Sequence, residues 1–418
     1  MVDKVLGRKM IPRLKPFIGI EETTALFRHV YDAVQKFESA FAETFSSSHA
    51  IAFPYGRSAL WAFFKAIQIE SAEIIQPAYN CSVVGHATVI SGNIPVFVDI
   101  SLHDYNMDLD LFRKAFTPKT RAVLPTHLFG YPMDVDSVNQ IVREAENRFG
   151  QRIYIIQDCA HSFEAEWQGK SVVNAGDGAL FGLNISKQIT SIFGGMFTTN
   201  DDEIATKLMA FRVRNYSEKS FKEKLSRLFY LPAATIAFND FFYGITYWLQ
   251  INTGLLKQLT DAYHLDEKIY FPPDYLTNMA AIEARVGLEQ LKKYQIIKSR
   301  RREIAAWYFK HLKVLDSWVL PPNVEGATYS HFVIRIPDRD KVMALAARQG
   351  VQFGQLIEYS MPHLSAYQKY AEPDQYPNSY LCSQSMINLP IYPGLDKSDI
   401  EKVVKIISQI KLVGNFAS

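Results

Sequence analysis

The sequence predicts an α/β protein built on a mostly parallel sheet. Short apolar runs recur along the first half of the chain, and several are separated by segments of helical length. Parallel strands that are buried on both faces read as continuous apolar runs, so this alternation is typical of such a sheet. With 418 residues, 48% of them hydrophobic, the chain is long enough for two domains of ordinary size. We predict strands at residues 49–53, 73–76, 95–100, 122–124, 153–156, 179–183 and 195–199.

The second half of the chain predicts a long helix and then a smaller α+β domain. Apolar residues recur at helical spacing at Ala281, Ala284, Leu288 and Leu291. A basic helical segment follows at residues 298–312, then a strand-like run at 331–336 and a helical pattern at 397–412. We therefore place a large domain at residues 1–300 and a small C-terminal domain at 301–418.

Charge and cysteine content exclude several functional classes. The chain has 45 Lys and Arg against 43 Asp and Glu, so no global basic field indicates a nucleic-acid partner. Cys81, Cys159 and Cys382 lie far apart without metal-ligand spacing, which argues against a disulfide framework and a structural zinc site. The N-terminus lacks the apolar run of a signal peptide. We expect a cytoplasmic protein, without a metal, whose partners are small molecules or protein.

An aromatic and apolar segment at residues 228–249 lies within an insertion at about residues 214–273. Its length reaches the roughly 20 residues that can cross a bilayer. Asp240 near its middle argues against a span, because a carboxylate at the membrane centre costs about 2.5–3.5 kcal/mol. We expect an aromatic helical element at the surface instead.

Two interpretations of this segment stay open. It forms a hairpin that is buried or covers a partner subunit, or it lies on a membrane as a peripheral element. In the second case the basic residues Lys222, Lys224 and Arg227 would face anionic headgroups.

Lys187 and Asp158 are the strongest candidates for chemistry, since ligands of open α/β sheets bind beyond the strand ends. Lys187 follows the predicted strand 179–183, and Asp158 follows 153–156. A half-buried carboxylate needs a cationic or hydrogen-bonding partner, and the protonated ring nitrogen of pyridoxal phosphate is one. A Schiff-base lysine and such a carboxylate together make a pyridoxal phosphate site. The alternatives are an exposed loop lysine and an Asp that caps the next helix.

Further residues could hold the other parts of this cofactor. Gly56, Arg57 and Ser58 precede a helical pattern, and phosphate binds readily at a helix N-terminus, although the same residues also suit a simple cap. His161 either packs against the ring, orients its phenolic oxygen or is only structural. Tyr79 and Cys81 are candidates for covering the ring face.

A series of sequence blocks occurs in a familiar order over most of the chain. The blocks are MIPRLKPFIG, GRSAL, IPVFVDI with DYNMD, TPKTRAVLPTHLFGYPMDVD, IIQDCAHSFEAEWQGK, GDGALFGLNISK with GGMFTTND, AAIEARVGLEQL, MPHLSAYQKY and INLPIYPGL. In this order they resemble the DegT/StrS-type sugar aminotransferases, which are fold-type I pyridoxal phosphate enzymes. The ordered series is far more specific than any single block.

The resemblance implies a role for each matching residue. Lys187 matches the Schiff-base lysine and Asp158 the partner of the pyridine nitrogen. His161 stands where Gln or His is common, and Arg57 and Ser58 match the phosphate-turn pair. The resemblance also implies a homodimer with active sites at the subunit interface, and glutamate or glutamine as the usual amino donor.

Three departures from the family pattern concern the cofactor contacts. Gly182 replaces a phosphate-binding Ser, which leaves Ser186 as a candidate. Cys81 replaces the ring-stacking aromatic residue, with Tyr79 as a candidate substitute. Residues 274–278 replace the usual Asn-Tyr-Arg segment before the long helix.

We expect amino transfer to a keto-sugar, most simply a nucleotide-linked one, in surface-polysaccharide or secondary-metabolite sugar biosynthesis. Lys187 then takes a proton from the donor Cα and returns it to the sugar carbon. Another pyridoxal phosphate reaction, such as sugar dehydration, is a weaker alternative, because related dehydratases replace this lysine with His. A membrane-associated binding or regulatory protein that kept the fold is the second alternative.

Overall fold

The structure, a computed structural model, describes residues 9–253 and 268–414. Residues 254–267 of the predicted insertion lie outside the described residues, as do both chain ends. The strands are β1 (His49–Phe53), β2 (Glu73–Pro77), β3 (Ile94–Val98), β4 (Thr120–Val123), β5 (Tyr154–Asp158), β6 (Glu166–Trp167), β7 (Lys170–Ser171), β8 (Gly178–Gly182), β9 (Gly195–Thr199), β10 (Phe332–Arg335) and β11 (Met386–Leu389).

Thirteen α-helices are assigned among the described residues. They are α1 (Ile20–Ala25), α2 (Ala33–Thr44), α3 (Gly56–Ala66), α4 (Ser82–Ile90), α5 (Leu109–Lys114), α6 (Val135–Phe149), α7 (Asp202–Asn215), α8 (Phe221–Ala237), α9 (Tyr243–Asn252), α10 (Ala281–His311), α11 (Arg339–Arg348), α12 (Pro377–Ser385) and α13 (Lys397–Gly414).

The central sheet contains seven strands in the order β1-β9-β8-β5-β4-β2-β3. Neighbours from β3 to β8 pair in parallel, whereas β9 runs antiparallel to both β8 and β1. The expected mostly parallel α/β fold is therefore confirmed, and each strand predicted in this sheet overlaps an observed one. The prediction for β3 runs two residues too far, because Ile100 leaves the sheet and forms an isolated bridge with Met107.

The later part of the chain forms a second, two-stranded sheet from the antiparallel strands β10 and β11. Helix α10 runs for 31 residues from the apolar core beside the central sheet into the core around β10 and β11. That second core also includes side chains from earlier in the chain, among them Ile11, Tyr79, Tyr105, Phe129 and Tyr131. Residue 300, the predicted domain boundary, lies inside α10, and the division into 1–300 and 301–418 stays a prediction.

The segment 228–249 is helical, as expected from the sequence. It falls in α8 and α9, which a short turn joins, and Pro232 lies inside α8. Within the described ranges we find no helix that is both long and apolar enough to cross a membrane. Large apolar side chains of this region are exposed, namely Phe221, Leu225, Phe229, Ile236, Phe241, Phe242, Ile245 and Ile251.

Arg227 corrects one part of the membrane interpretation. Lys222 and Lys224 are exposed, but Arg227 is only 8% exposed and points inward. Its guanidinium forms ion pairs with Asp274 and Glu283, which compensate the cost of burying its charge. Arg227 therefore does not face a headgroup layer in this structure.

Candidate active site

The carboxyl ends of β5 and β8 and the N-terminus of α3 meet at one cavity of ≈ 560 Å³. Parallel strands direct the loops that follow them to the same edge of a sheet, which is why distant residues converge there. Six of the sequence-predicted residues line this cavity: Gly56, Arg57, Cys81, Asp158, His161 and Lys187. Other lining side chains include Tyr55, Asn80, Thr126, Asn184, Phe193, Arg227, Tyr270 and Asp274.

Lys187 lies in the loop after β8, where its N–H donates to the carbonyl of Asn184 at 3.0 Å. Burial lowers the pKa of Lys187 below the ordinary value of a lysine, while Cys81 and Asp158 oppose this shift. A lysine with a lowered pKa has a larger neutral fraction, and only the neutral amine is a nucleophile or a base.

Asp158 ends β5 and is 5% exposed. Its Oδ1 accepts the N–H of Ala160 at 3.1 Å, and its Oδ2 lies 3.5 Å from the hydroxyl of Thr126. Burial raises the pKa of Asp158, and the hydrogen bond from Ala160 and the charge of Lys187 counteract the rise only in part. The carboxylate is therefore well placed to accept a further cationic hydrogen-bond donor.

His161 lies beside Lys187 in the cavity wall and stacks on Phe129, with ring centroids 6.2 Å apart. Its Nδ1 accepts the N–H of Phe129 at 3.4 Å. Burial and the nearby charge of Lys187 hold the pKa of His161 well below its usual value. The neutral ring consequently carries its proton on Nε2, which leaves one N–H donor.

The turn at the start of α3 brings backbone N–H groups to the cavity through Gly56 and Arg57. Ser58 is fully buried and does not line the cavity, and its hydroxyl has no hydrogen-bond partner in the described part of the chain. The main chain of Gly195 in β9 passes so close to Tyr55 and Gly56 that a side chain at position 195 would overlap them.

Besides Ser58, two further predicted cofactor contacts, Tyr79 and Ser186, are not brought to the cavity. Tyr79 is 1% exposed; its hydroxyl donates to the carbonyl of Ile357 at 3.1 Å, and its ring packs in the second core. Burying an aromatic ring in this core is favourable, so Tyr79 does not cover a ring face in the cavity. Cys81, its neighbour in the prediction, does line the cavity.

Ser186 is the second correction. Its side chain is exposed, and its hydroxyl donates to Asn184 Oδ1 at 2.7 Å rather than facing the cavity. Gly182, in contrast, lines the cavity wall. A Cβ at this position would lie 3.4 Å from Lys187 Cε, which is an ordinary van der Waals contact.

Three cavity residues were not predicted from the sequence: Arg227 and Tyr270 in the insertion, and Asp274 directly after it. One feature of the sequence points to Arg227: it is a cation beside a long apolar segment. If that segment is buried, the charge of Arg227 needs a partner. Asp274 lies in the segment that departs from the family pattern, and its partners are distant in sequence.

The described residues fit pyridoxal phosphate. The lysine of lowered pKa matches the carbonyl of the cofactor, and the buried carboxylate with spare acceptor capacity matches the ring nitrogen. The N-terminus of α3 matches the phosphate. The hydroxyl of Ser58, in the first turn of this helix, is buried and has no partner among the described residues.

The profile of the DegT/DnrJ/EryC1/StrS aminotransferase family matches residues 21–408. The chain is 24% identical over 419 residues to the spore coat polysaccharide biosynthesis protein SpsC of Bacillus subtilis, covering 96% of this chain and 97% of SpsC. It is 26% identical over 387 residues to the GDP-perosamine synthase of Caulobacter vibrioides, covering 90% of each. The crystal structure of DesV from S. venezuelae superposes with a TM-score of 0.76 at 22% identity, covering 97% of this chain and 99% of DesV.

Proposed function

Because the chain belongs to the DegT/DnrJ/EryC1/StrS aminotransferase family and is therefore a pyridoxal phosphate-dependent transaminase, we propose that it aminates a keto-sugar, most simply a nucleotide-linked one. Glutamate or glutamine is the proposed amino donor. The single observation that carries the assignment to this site is the convergence of Lys187 and Asp158 on one cavity. The names of SpsC and GDP-perosamine synthase support a place in surface-polysaccharide or secondary-metabolite sugar biosynthesis.

Pyridoxal phosphate supplies an electron sink when bound, which stabilises negative charge at the carbon that carries the amino group. Lys187 Nζ takes the proton from the donor Cα as a general base, and later delivers a proton to the sugar carbon as a general acid. Burial favours its neutral form, which is the form that accepts a proton.

Asp158 holds a proton at the ring nitrogen of the cofactor through a charge-assisted hydrogen bond. Backbone N–H groups at the start of α3, with Arg57, would hold the phosphate. The phosphate contact of Ser58 stays a prediction, because its buried hydroxyl does not line the cavity. When the cofactor is bound, His161 would donate its Nε2–H to the phenolic oxygen.

We propose further that the enzyme is a cytoplasmic homodimer. The exposed apolar side chains of α8 and α9 support contact with either a partner subunit or the inner membrane surface through residues 228–249. Removing these residues should produce monomers in the first case. In the second case it should abolish flotation with anionic vesicles, while the oligomeric state is unchanged.

The test of the main proposal is direct. The purified protein is loaded with pyridoxal phosphate and incubated with glutamate or glutamine and a panel of UDP-, GDP- and dTDP-linked keto-deoxyhexoses, with amino sugars detected by mass spectrometry. We expect a visible absorbance band from the lysine-bound cofactor and amination of at least one panel member, both lost in Lys187→Ala. Absence of the band would favour the regulatory-protein alternative, and a band without amination would overturn the sugar assignment.

A further inference from the structure

The insertion contributes to a polar cluster that the mechanism above does not use. Tyr55, Arg227 and Asp274 line the same cavity as Lys187. The Tyr55 hydroxyl donates to Asp274 Oδ1 at 2.8 Å, and Arg227 Nη2 donates to Asp274 Oδ2 at 2.8 Å and to the Tyr55 hydroxyl at 3.2 Å. We call these three residues the wall cluster.

The charges around the wall cluster cancel. Arg227 Nε also donates to Glu283 Oε1 at 3.0 Å, and Lys219 Nζ lies 3.5 Å from Asp274 Oδ2. Two cations thus face two carboxylates, and little net attraction remains for an anion. The carboxylate of an amino-acid donor would also meet the like charge of Asp274, so the cluster disfavours such a ligand.

The wall cluster keeps both donors and acceptors for a ligand. Arg227 bonds through Nε and Nη2, whereas Nη1 donates to no group in residues 9–253 or 268–414. Asp274 Oδ1 and the Tyr55 oxygen each bind one hydrogen in this network and have a further lone pair. A sugar hydroxyl both donates and accepts hydrogen bonds, whereas a carboxylate only accepts them. The remaining capacity therefore matches hydroxyl groups.

Apolar side chains frame the cluster. The Arg227 guanidinium lies 4.2 Å from the centroid of Phe193, and Tyr270, Pro272 and Pro273 line the same cavity. A sugar ring presents C–H faces between its hydroxyls, and such faces pack well on aromatic rings and prolines. Polar and apolar groups together suit an uncharged ring that carries several hydroxyls.

We propose that the wall cluster is the acceptor subsite, which binds hydroxyl groups of the keto-sugar and takes no part in binding the amino donor. This inference rests on the proposed function. It gives Arg227 of the insertion, together with Tyr55 and Asp274, a role in choosing the sugar that is distinct from the roles of Lys187 and Asp158.

The test uses the variant Tyr55→Phe, which removes the hydroxyl and keeps the ring. The donor and acceptor half-reactions of this variant are measured separately. The donor half-reaction is followed by single-turnover absorbance with L-glutamate, and the acceptor reaction by KM for the panel sugar nucleotide that the wild type aminates. We expect the acceptor KM to rise about tenfold to a hundredfold, as one lost hydrogen bond to a charged network predicts. The donor rate should fall by less than about threefold.

Tyr275→Phe is the matched control, because Tyr275 adjoins Asp274 in sequence but does not line the cavity. It should leave both half-reactions unchanged. Asp274→Asn, checked for folding by circular dichroism, is a second variant. It should also raise the acceptor KM and leave the donor rate nearly unchanged. An unchanged acceptor KM, or equal losses in both half-reactions, overturns the subsite alone. A wild type that aminates no panel member overturns the proposed function and the subsite with it.

Discussion

Asp158 is the residue whose surroundings most clearly require a cationic partner. Burial raises its pKa, and the neighbouring N–H of Ala160 and the charge of Lys187 compensate only in part. A protonated ring nitrogen would add the missing positive charge, so protein and cofactor stabilise each other's charged forms. The chemistry proposed for Lys187 therefore needs Asp158 as well.

We predict that Asp158→Asn keeps bound cofactor but lowers the donor half-reaction by at least about a hundredfold, because a neutral amide does not hold the ring nitrogen protonated when charge develops. Single-turnover absorbance with glutamate measures the rate. Asp136→Asn, an exposed change outside the cavity, is the control. A rate near that of the wild type would reduce Asp158 to a structural role.

His127 connects the same region to the pH dependence of stability. It is fully buried, and its Nδ1 accepts the N–H of Met133 at 3.0 Å while its Nε2 lies 3.0 Å from Gln157 Oε1. Burial lowers the pKa of His127 to about 4. The unfolded chain, in which the pKa is ordinary, therefore binds a proton at a higher pH than the folded protein.

We predict that the folded state loses stability as pH falls from about 6.5 towards 4, with His127 contributing about 3 kcal/mol of the lost free energy of unfolding. His127→Gln should show a smaller loss over this window, measured by urea unfolding at several pH values. The exposed His103 offers the control His103→Gln, which should follow the wild type. Equal pH slopes in the wild type and His127→Gln would contradict the prediction.

Among the elements, α2 and α10 show how closely two helices approach at a glycine. A Cβ at Gly287 in α10 would overlap the ring of Phe37 in α2, and Phe37 is fully buried. Because protein interiors are close-packed, the buried ring can shift only by displacing its neighbours. The small residue at position 287 is thus a packing requirement.

We predict that Gly287→Ala destabilises the protein by about 1–2 kcal/mol, because overpacking outweighs the gain of about 1 kcal/mol in helix propensity. Chemical denaturation measures the change. Gly394→Ala is the control, since nothing lies within 4 Å of a Cβ at that position. A stabilised Gly287→Ala variant would show that the two helices separate readily.

Strands and helices were predictable because their patterns are local, whereas the contacts of the site were predictable only in part. Lys187 and Asp158 converge because strand ends share one sheet edge. Tyr79 failed as a cofactor contact because its partner Ile357 lies 278 positions away. The pairing of Arg227 with Asp274 joins residues 47 positions apart, one inside the insertion and one directly after it, and no periodic pattern encodes such a contact.

At the scale of the whole molecule, the second core is shared between early and late parts of the chain. Tyr79, Tyr105 and Tyr131 pack with residues around β10 and β11. Helix α10 also crosses the predicted boundary at residue 300. The C-terminal part is therefore not self-sufficient in apolar contacts.

We predict that a fragment of residues 301–418 does not fold alone, because it loses these core partners and the first 20 residues of α10. Circular dichroism and amide chemical-shift dispersion check this, with the full chain as the reference. A cooperative thermal transition in the isolated fragment would show that the domain is independent.

The close approach of Gly195 to Tyr55 and Gly56 has a consequence for protein engineering. Two main chains in contact, without intervening side chains, set the spacing between the helix N-terminus and the loop that carries Lys187. That spacing therefore requires glycine at position 195. A designer who exchanges residues 214–273 also has to keep the contacts that the insertion makes with this turn, because the Tyr216 hydroxyl donates to the carbonyl of Ser58 at 3.2 Å and Arg227 donates to the Tyr55 hydroxyl at 3.2 Å.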